Sequence, residues 1–295
     1  MTRFCTYLFY FLCGLTFSVS AQPTAPFSVA DSTLYLKKNF VFRRDYTLPY
    51  RMLEPLEKDT KMKYPLVVVL HGAGEKGTDN ERQLLTGGAV FASFDNRLRF
   101  QSYVVFPQCP KPDNWSTFGF LKNPGEDVQL GKYGKQASEP LRATLALIDR
   151  LIADEHIDKN RVYIVGLSMG GFGTLEALAM RPGLFAAAVP ICGGGDITVC
   201  DKYARKVPVW LFHSQDDPII PVSLSQILAN RLRTLKAEPK YTEYERAGRS
   251  TWREAFADAR LLPWLFDQNR KQSGEVRKTQ DVPESPAPLT LRPLK

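Results

Sequence analysis

Short apolar runs rich in β-branched residues alternate with longer helical patterns through the middle of the chain. Two runs, Leu66 to Leu70 and Val162 to Val165, are almost continuously apolar, as strands covered on both faces are. This alternation favours an α/β fold, a mostly parallel sheet with helices on both faces. The predicted strands are Thr47 to Leu53, Leu66 to Leu70, Tyr103 to Phe106, Val162 to Val165, Ala187 to Pro190, Val209 to Phe212 and Tyr241 to Tyr244.

Helical periodicity is clearest from Leu141 to Ile152, where apolar residues recur three or four positions apart. That spacing places them on one helix face. The stretch from Leu224 to Leu235 has a similar pattern. Both segments therefore provide apolar faces that can cover the sheet.

The two ends of the chain differ from its middle. Residues 1–21 combine an early arginine, an apolar run and a small-residue site ending at Ala21, the pattern of a secretory signal peptide. The run is shorter than the about 20 residues that cross a bilayer, so we expect export to the periplasm or outside the cell, without a membrane span. Residues 271–295 are rich in proline and polar residues and are predicted to be a disordered tail. We expect one domain over 45–270, after a lead-in at 22–44.

Three cysteines follow the predicted signal peptide: Cys109, Cys192 and Cys200. Cys192 and Cys200 are close enough to pair in an oxidising compartment, but buried free thiols are the favoured interpretation.

The net charge is +8, without an arginine-rich run or an aromatic stripe. This indicates a solvated basic surface rather than a nucleic-acid site. The sequence does not fix an oligomeric state.

The strongest motif is Gly166-Leu-Ser168-Met-Gly170-Gly171, between the strand ending at Val165 and a helical pattern that runs to Met180. A serine in a tight strand-to-helix turn needs small neighbours, because a bulky side chain there would collide with the backbone. The following helix points free N–H groups toward the serine. The motif therefore predicts that Ser168 is a nucleophile.

A glycine-rich loop, His71-Gly-Ala-Gly74-Glu75, follows the strand that ends at Leu70. Hydrolases with such a serine turn take one oxyanion-binding N–H from this loop. We therefore predict an oxyanion hole from the main-chain N–H groups of Ala73 and Met169. His71 itself is expected to order the loop.

Two aspartates, Asp216 and Asp217, follow the strand that ends at Phe212. An acid at such a strand end can orient and stabilise a catalytic imidazolium. Both are candidates at this point; the resemblance given below favours Asp217, which directly precedes Pro218 to Pro221, and Asp216 is the alternative.

Taken together, these motifs resemble the polyhydroxybutyrate-depolymerase and carboxylesterase-like branch of the α/β hydrolases, often called dienelactone-hydrolase-like or prolyl-oligopeptidase-like. The resemblance covers roughly residues 45 to 268 and implies a serine esterase that needs no metal or cofactor, with its catalytic residues in the order Ser, Asp, His. It rests on Tyr64-Pro-Leu-Val, His71 to Asn80, Pro107-Gln-Cys-Pro110, Val162 to Gly171, Val189 to Asp196 and Lys240 to Tyr244.

The chain departs from this pattern at the base. Relatives have Gly-His before a polar pair and Trp, whereas this chain has Gly248-Arg249-Ser250-Thr251-Trp252. Arginine stays protonated at physiological pH and cannot accept the serine proton. The other histidines are His71, His156 and His213. Of these, His213 precedes the acid and is the one that could approach the site.

Two functions remain open at this stage. One is an exported carboxylic-ester hydrolase acting through a Ser168 acyl-enzyme, on a small ester or an acylated polysaccharide. The alternative is a catalytically silent relative that binds an ester, glycan or peptide ligand, with Arg249 paired to Asp217. Trp115 and Trp252 are candidate pocket walls, and packing against a loop is an equal alternative for each.

Overall fold

The middle of the chain folds around one large sheet. The computed structural model describes residues 32–122, 127–154 and 156–270. Its strands are β1 (Leu36–Arg43), β2 (Tyr46–Leu53), β3 (Tyr64–Leu70), β4 (Tyr103–Pro107), β5 (Phe120–Leu121), β6 (Gln129–Leu130), β7 (Ile157–Leu167), β8 (Ala187–Ile191), β9 (Trp210–Ser214) and β10 (Lys240–Tyr244). Its α-helices are α1 (Gly88–Ala92), α2 (Phe94–Arg99), α3 (Glu139–Asp154), α4 (Met169–Met180), α5 (Ser223–Thr234), α6 (Thr251–Ala257) and α7 (Leu261–Asp267).

Eight of the strands form the sheet in the order β1-β2-β4-β3-β7-β8-β9-β10. The pairs β1/β2 and β2/β4 are antiparallel, and every later pair in this order is parallel. The predicted α/β fold with a mostly parallel sheet is confirmed. Because parallel strands end at one edge of the sheet, the loops after β3, β7, β8, β9 and β10 meet there.

Side chains of the central strands alternate between two cores. Along β3, Leu66 and Val68 point into one cluster and Val67 and Val69 into the other, as the two-residue period of a strand requires. Helices α3, α4 and α5 cover the first cluster, and α1, α6 and α7 cover the second. Continuous apolar sequence in these strands thus reflects burial on both faces.

Three of the strands lie outside the predicted set, β1 and the two strands of the β5/β6 hairpin. The segment expected to be a lead-in contains β1, which pairs with β2 along almost its whole length. Polar residues such as Lys37, Lys38 and Asn39 hide this strand in the sequence. The hairpin of β5 and β6 has only two residues in each strand, too few to give a pattern.

The predicted signal peptide at residues 1–21 and the predicted tail at 271–295 lie outside the described residues. Within the described ranges, no helix is both long and apolar enough to cross a membrane.

Candidate active site

Ser168 occupies a strained turn between β7 and α4. It has φ 52° and ψ −113° and is the residue directly before the helix, and its N–H donates to Ile191 O on the neighbouring strand at 2.7 Å. Non-glycine residues avoid this backbone region, at a cost of about 1–3 kcal/mol. The turn brings Ser168 to the carboxyl edge of the sheet with its side chain half-buried.

Two glycines make the turn possible by close backbone packing. A Cβ at Gly166 would lie 2.1 Å from Gly170 O, and a Cβ at Gly170 would lie 2.0 Å from Leu70 O. No side chain can be accommodated at such distances. The glycines predicted to flank the nucleophile are therefore required by the contact between β7, α4 and β3.

The two predicted oxyanion donors both begin a helical turn at this edge. Met169 is the first residue of α4, where a backbone N–H has no partner within the helix and the helix dipole is positive. Ala73 is exposed and opens the 3-10 turn Ala73–Glu75 after β3. Since Leu70 pairs with Gly166, the two turns lie side by side.

His71 and Trp115 lie behind this loop as core residues. His71 Nε2 accepts from the Cys109 N–H at 3.0 Å, so Nδ1 carries the proton and donates to Gly72 O at 2.6 Å. Burial lowers the pKa of His71 to about 4. Trp115 has no exposed surface, and its indole N–H donates to His71 O at 3.0 Å. Of its two predicted alternatives, pocket wall and loop packing, the contacts of Trp115 correspond to loop packing.

The two aspartates after β9 have different surroundings. The Asp217 side chain is 6% exposed, and its Oδ1 accepts from the N–H groups of Ile219 and Ile220, each at 2.9 Å. Asp216 is exposed, and its Oδ1 accepts from Ser214 Oγ at 2.5 Å and Gly248 N at 2.7 Å. These bonds lower the pKa of Asp216, the Ser214 hydroxyl contributing most. Asp216 thus fastens the loop after β10, and Asp217 turns inward.

Arg249 lies in the 3-10 turn Gly248–Ser250 that follows β10. Ser214 Oγ, at the end of β9, accepts from the N–H groups of Ala247 and Gly248. The Thr251 hydroxyl donates to Gly248 O at 2.9 Å. The backbone of residue 249 is therefore fixed beside the aspartate loop, where the resemblance places a base.

His213 is fully buried, with both ring nitrogens engaged. Nδ1 lies 2.7 Å from Ser225 Oγ and Nε2 lies 3.0 Å from Ile220 O. Nε2 is also 3.7 Å from Asp217 Oδ2. Burial lowers the pKa of His213. These contacts fix the imidazole in the interior, and it is not presented to a substrate.

His156 lies at the opposite end of β7 from Ser168. Ile157 pairs with Tyr64 and Gly166 with Leu70, so the two ends of β7 lie six residue steps of β3 apart, roughly 20 Å at about 3.3 Å per residue. Each of the three histidines in the sequence is thus either locked in the core or distant from the nucleophile.

An apolar wall that the sequence analysis missed stands beside Ser168. Phe172, one helical turn after Ser168, packs with Ile220 and Leu224. Phe118 and Phe120 stack on its ring, with centroids 5.8 and 6.0 Å away. The Phe172 N–H donates to Ser168 O at 3.1 Å, so this ring lies on the first turn of the helix that Ser168 precedes. Its position four residues after the serine was the available signal.

Two buried carboxylates hold the segment that carries these rings. Glu176 accepts from Ser116 Oγ, Thr117 N and Thr117 Oγ1 at 2.6 to 2.9 Å. Asp196 accepts from Tyr133 N at 3.2 Å. The base of the β5/β6 hairpin is therefore fixed on both sides, next to helix α4.

Cys109, Cys192 and Cys200 are free, buried thiols, as the favoured interpretation holds. Cys200 Sγ contacts Tyr203 Oη at 3.2 Å. Cys192 directly follows β8 with φ 49°, and burial raises its pKa to about 12.

Trp252, the other predicted pocket wall, is half-buried, and the Arg253 guanidinium lies over its ring at 5.3 Å.

A groove of about 850 Å³ lies elsewhere, at the amino ends of the strands. Its lining includes Lys58, Tyr64 at the start of β3, and Phe266. It is at the edge opposite Ser168 and has no part in the candidate site.

Comparison with known proteins agrees with this architecture. The family model for phospholipases and carboxylesterases matches residues 54–261. The chain is 34% identical over 130 residues to poly(3-hydroxyalkanoate) depolymerase C of Paucimonas lemoignei, covering 44% of this chain and 28% of that protein. A protein named "Probable feruloyl esterase C" from Aspergillus terreus is 26% identical over 173 residues, covering 59% of this chain and 56% of its own length.

A solved structure of a thermostable esterase superposes with a TM-score of 0.73 and 36% identity, over 82% of this chain and 64% of that one. The chain thus spans less than two thirds of each of these three relatives.

Proposed function

Because the chain belongs to the phospholipase/carboxylesterase family, we propose that it hydrolyses carboxylic esters, with Ser168 as the residue that takes up the acyl group. The observation that carries this proposal is the strained backbone of Ser168, φ 52°, at the first turn of α4. Strain of this kind costs stability and is concentrated at functional sites. Here it presents a hydroxyl next to unpaired helix N–H groups.

The proposed reaction has two stages. Ser168 Oγ attacks the ester carbonyl carbon, and the N–H groups of Ala73 and Met169 stabilise the resulting oxyanion. The carbon–oxygen bond to the alcohol then breaks, and the alcohol leaves with a proton. Water attacks the acyl-enzyme, releases the carboxylic acid and restores Ser168.

Removal of the Ser168 hydroxyl proton is the difficult step. Arg249 stands at the expected base position and cannot accept it, and His213 is held by Ser225 and Ile220. We therefore propose that water takes this proton and that turnover is slow. Losing the histidine of a serine triad costs about a millionfold in a comparable hydrolase, with residual catalysis from the oxyanion hole.

The substrate we propose is a small ester or an acyl group on a polysaccharide, met by an exported protein. The rings of Phe118, Phe120 and Phe172 beside Ser168 favour an apolar acyl group. Trp252 remains a proposed contact at the other side of the cleft. The names of the depolymerase and the feruloyl esterase support an ester substrate.

A second function has its own support. None of the three histidines is placed to serve as a base, so the inherited cleft can hold a ligand without converting it. This silent protein would bind an ester, glycan or peptide, with Arg249 paired to Asp217.

The test is incubation with a fluorophosphonate and, separately, with 4-nitrophenyl acetate. We expect covalent labelling and slow turnover that both disappear in Ser168→Ala. The control Ser93→Ala removes a hydroxyl from the cap of α2 and should retain both. Turnover that persists in Ser168→Ala would overturn the proposal, and ligand binding without labelling or turnover would favour the second function.

A further inference from the structure

A group of three metal-ligating side chains lies at the carboxyl ends of β8 and β9. One ligand atom each of Cys192, His213 and Asp217 lies within 4.8 Å of the others. Cys192 and His213 are buried, and Asp217 is nearly so. Thiolate, imidazole and carboxylate are the groups that bind Zn²⁺ in proteins.

The hydrogen bonds around His213 lack one proton. Ser225 Oγ lies 3.0 Å from Gly193 O and 2.7 Å from His213 Nδ1, and Nε2 lies 3.0 Å from Ile220 O. These three contacts need three protons. A serine hydroxyl and a neutral imidazole supply one each, so one contact is left without a hydrogen.

The direction of the Ser225 hydroxyl decides which contact has no hydrogen. If Ser225 donates to Gly193 O, then Nδ1 donates to Ser225, and the bare Nε2 faces Ile220 O. If Ser225 instead donates to Nδ1, Nε2 donates to Ile220 O, so only the first arrangement leaves Nε2 available to a cation. A metal ion at Nε2 uses the thiol, the carboxylate and the Ile220 carbonyl oxygen together.

We propose that Cys192, His213 and Asp217 form a Zn²⁺ site, with Ile220 O as a further oxygen ligand. The Cys192 S–H bond breaks, its proton leaves to solvent, and a sulfur–zinc bond forms. The chain Nδ1–H to Ser225 to Gly193 O fixes the imidazole tautomer, as second-sphere partners of zinc-bound histidines do.

The required geometry is close to the one observed. Zn–S bonds of about 2.3 Å and Zn–N and Zn–O bonds of about 2.0–2.2 Å imply tetrahedral ligand separations of about 3.4–3.6 Å. His213 Nε2 and Asp217 Oδ2 are 3.7 Å apart. Since every ligand pair lies within 4.8 Å, closure needs movements of about 1 Å.

Bound zinc occupies the carboxylate that would serve as the catalytic acid. Because the reaction proposed above assigns no step to Asp217, zinc binding at this carboxylate is independent of the proposed function. A binding measurement keeps the two apart.

The experiment is titration of the tag-free, phosphine-reduced protein with Co²⁺ as a spectroscopic probe, followed by Zn²⁺ displacement. We expect one Co²⁺ per chain with a thiolate charge-transfer band in the near ultraviolet, abolished by stoichiometric Zn²⁺. Cys192→Ser should remove the band and weaken Zn²⁺ binding at least tenfold, whereas the control Cys200→Ser, at another buried thiol, should retain both.

Two further variants test the site even if Cys192→Ser fails to fold. Asp217→Asn should weaken Zn²⁺ binding with the thiolate band retained at saturating Co²⁺. Ser225→Ala should weaken it about 10–100-fold, the usual effect of losing a second-sphere partner. Absence of a charge-transfer band in the unaltered protein, or an identical band in Cys192→Ser, would overturn the site.

Discussion

The turn that carries Ser168 and the loops that carry Asp217 and Arg249 are held in place in different ways. At Ser168 the constraint is backbone against backbone, since Gly166 and Gly170 leave no space for a Cβ. At the loops after β9 and β10 the constraint is a set of hydrogen bonds that the backbone N–H groups of the second loop donate to the side chains of Ser214 and Asp216. A residue at position 249 can therefore change without disturbing the fold, whereas the serine turn cannot.

This comparison is tested most severely by Arg249→His. If the loop still places residue 249 at the base position, the new imidazole accepts the Ser168 proton. We expect kcat for 4-nitrophenyl acetate to rise about a thousandfold or more, within the range attributed to general-base catalysis and triad histidines.

The double variant Ser168→Ala/Arg249→His should lose the gained activity. An unchanged rate in Arg249→His would mean that the loop after β10 does not direct the side chain of residue 249 to the serine. The backbone of that loop, and not only its side chain, would then differ from that of relatives with a histidine there.

The roles of the two aspartates separate in the Arg249→His background. Asp217→Asn there should remove most of the activity gained with Arg249→His, because the charge that orients a triad histidine is lost. Asp216→Asn should lower it only a few-fold, because Asp216 holds the loop through Gly248 N. Equal losses in steady-state kinetics would contradict this assignment.

The steric requirement at the serine turn is measured by Gly170→Ala. The added Cβ would lie 2.0 Å from Leu70 O, so the strand and helix must separate. We expect the free energy of unfolding to fall by about 3 kcal/mol or more in urea denaturation. Gly183→Ala is the control, because a Cβ there meets nothing within 4 Å; a similar loss in both would refute the steric explanation.

A smaller effect concerns the loop next to the serine turn. Burial lowers the pKa of His71 from 6.5 to about 4, so the unfolded chain binds a proton that the folded protein does not. The resulting stabilisation is present above pH 6.5 and is lost between pH 6.5 and 4. From this group alone we expect a loss of about 3 kcal/mol.

Urea denaturation at a series of pH values measures this loss. His71→Gln should flatten the pH dependence between pH 6.5 and 4, whatever its effect on stability at neutral pH. A slope unchanged by the substitution would assign the acid sensitivity to other groups.

The parts of the fold that the sequence predicted are those governed by local pattern. Apolar runs indicated the seven predicted strands, and glycine spacing indicated the turn at Ser168. The strand β1 was not predicted because its polar residues, which suit an edge strand, give no apolar run. The β5/β6 hairpin was not predicted because distant groups such as Glu176 and Asp196 hold it in place.

Side-chain roles were harder to predict because their partners are remote in sequence. The burial of Trp115 depends on His71 O, 44 residues away. The proximity of His213 to the acid suggested a substitute base, but Ser225 and the Ile220 carbonyl hold its ring in the core. Neither set of contacts can be predicted from the residues near Trp115 or His213 in the sequence.

The strand β1 also limits how these molecules meet one another. Among the described strands it forms one edge of the sheet, where unpaired backbone groups could recruit a strand from another molecule and begin aggregation. Lys37 and Arg43 are exposed along it and pair with Glu81 and Glu139, so a strand added at this edge would have to desolvate charged side chains. The same polar residues that concealed this strand in the sequence thus help to keep the sheet confined to a single molecule.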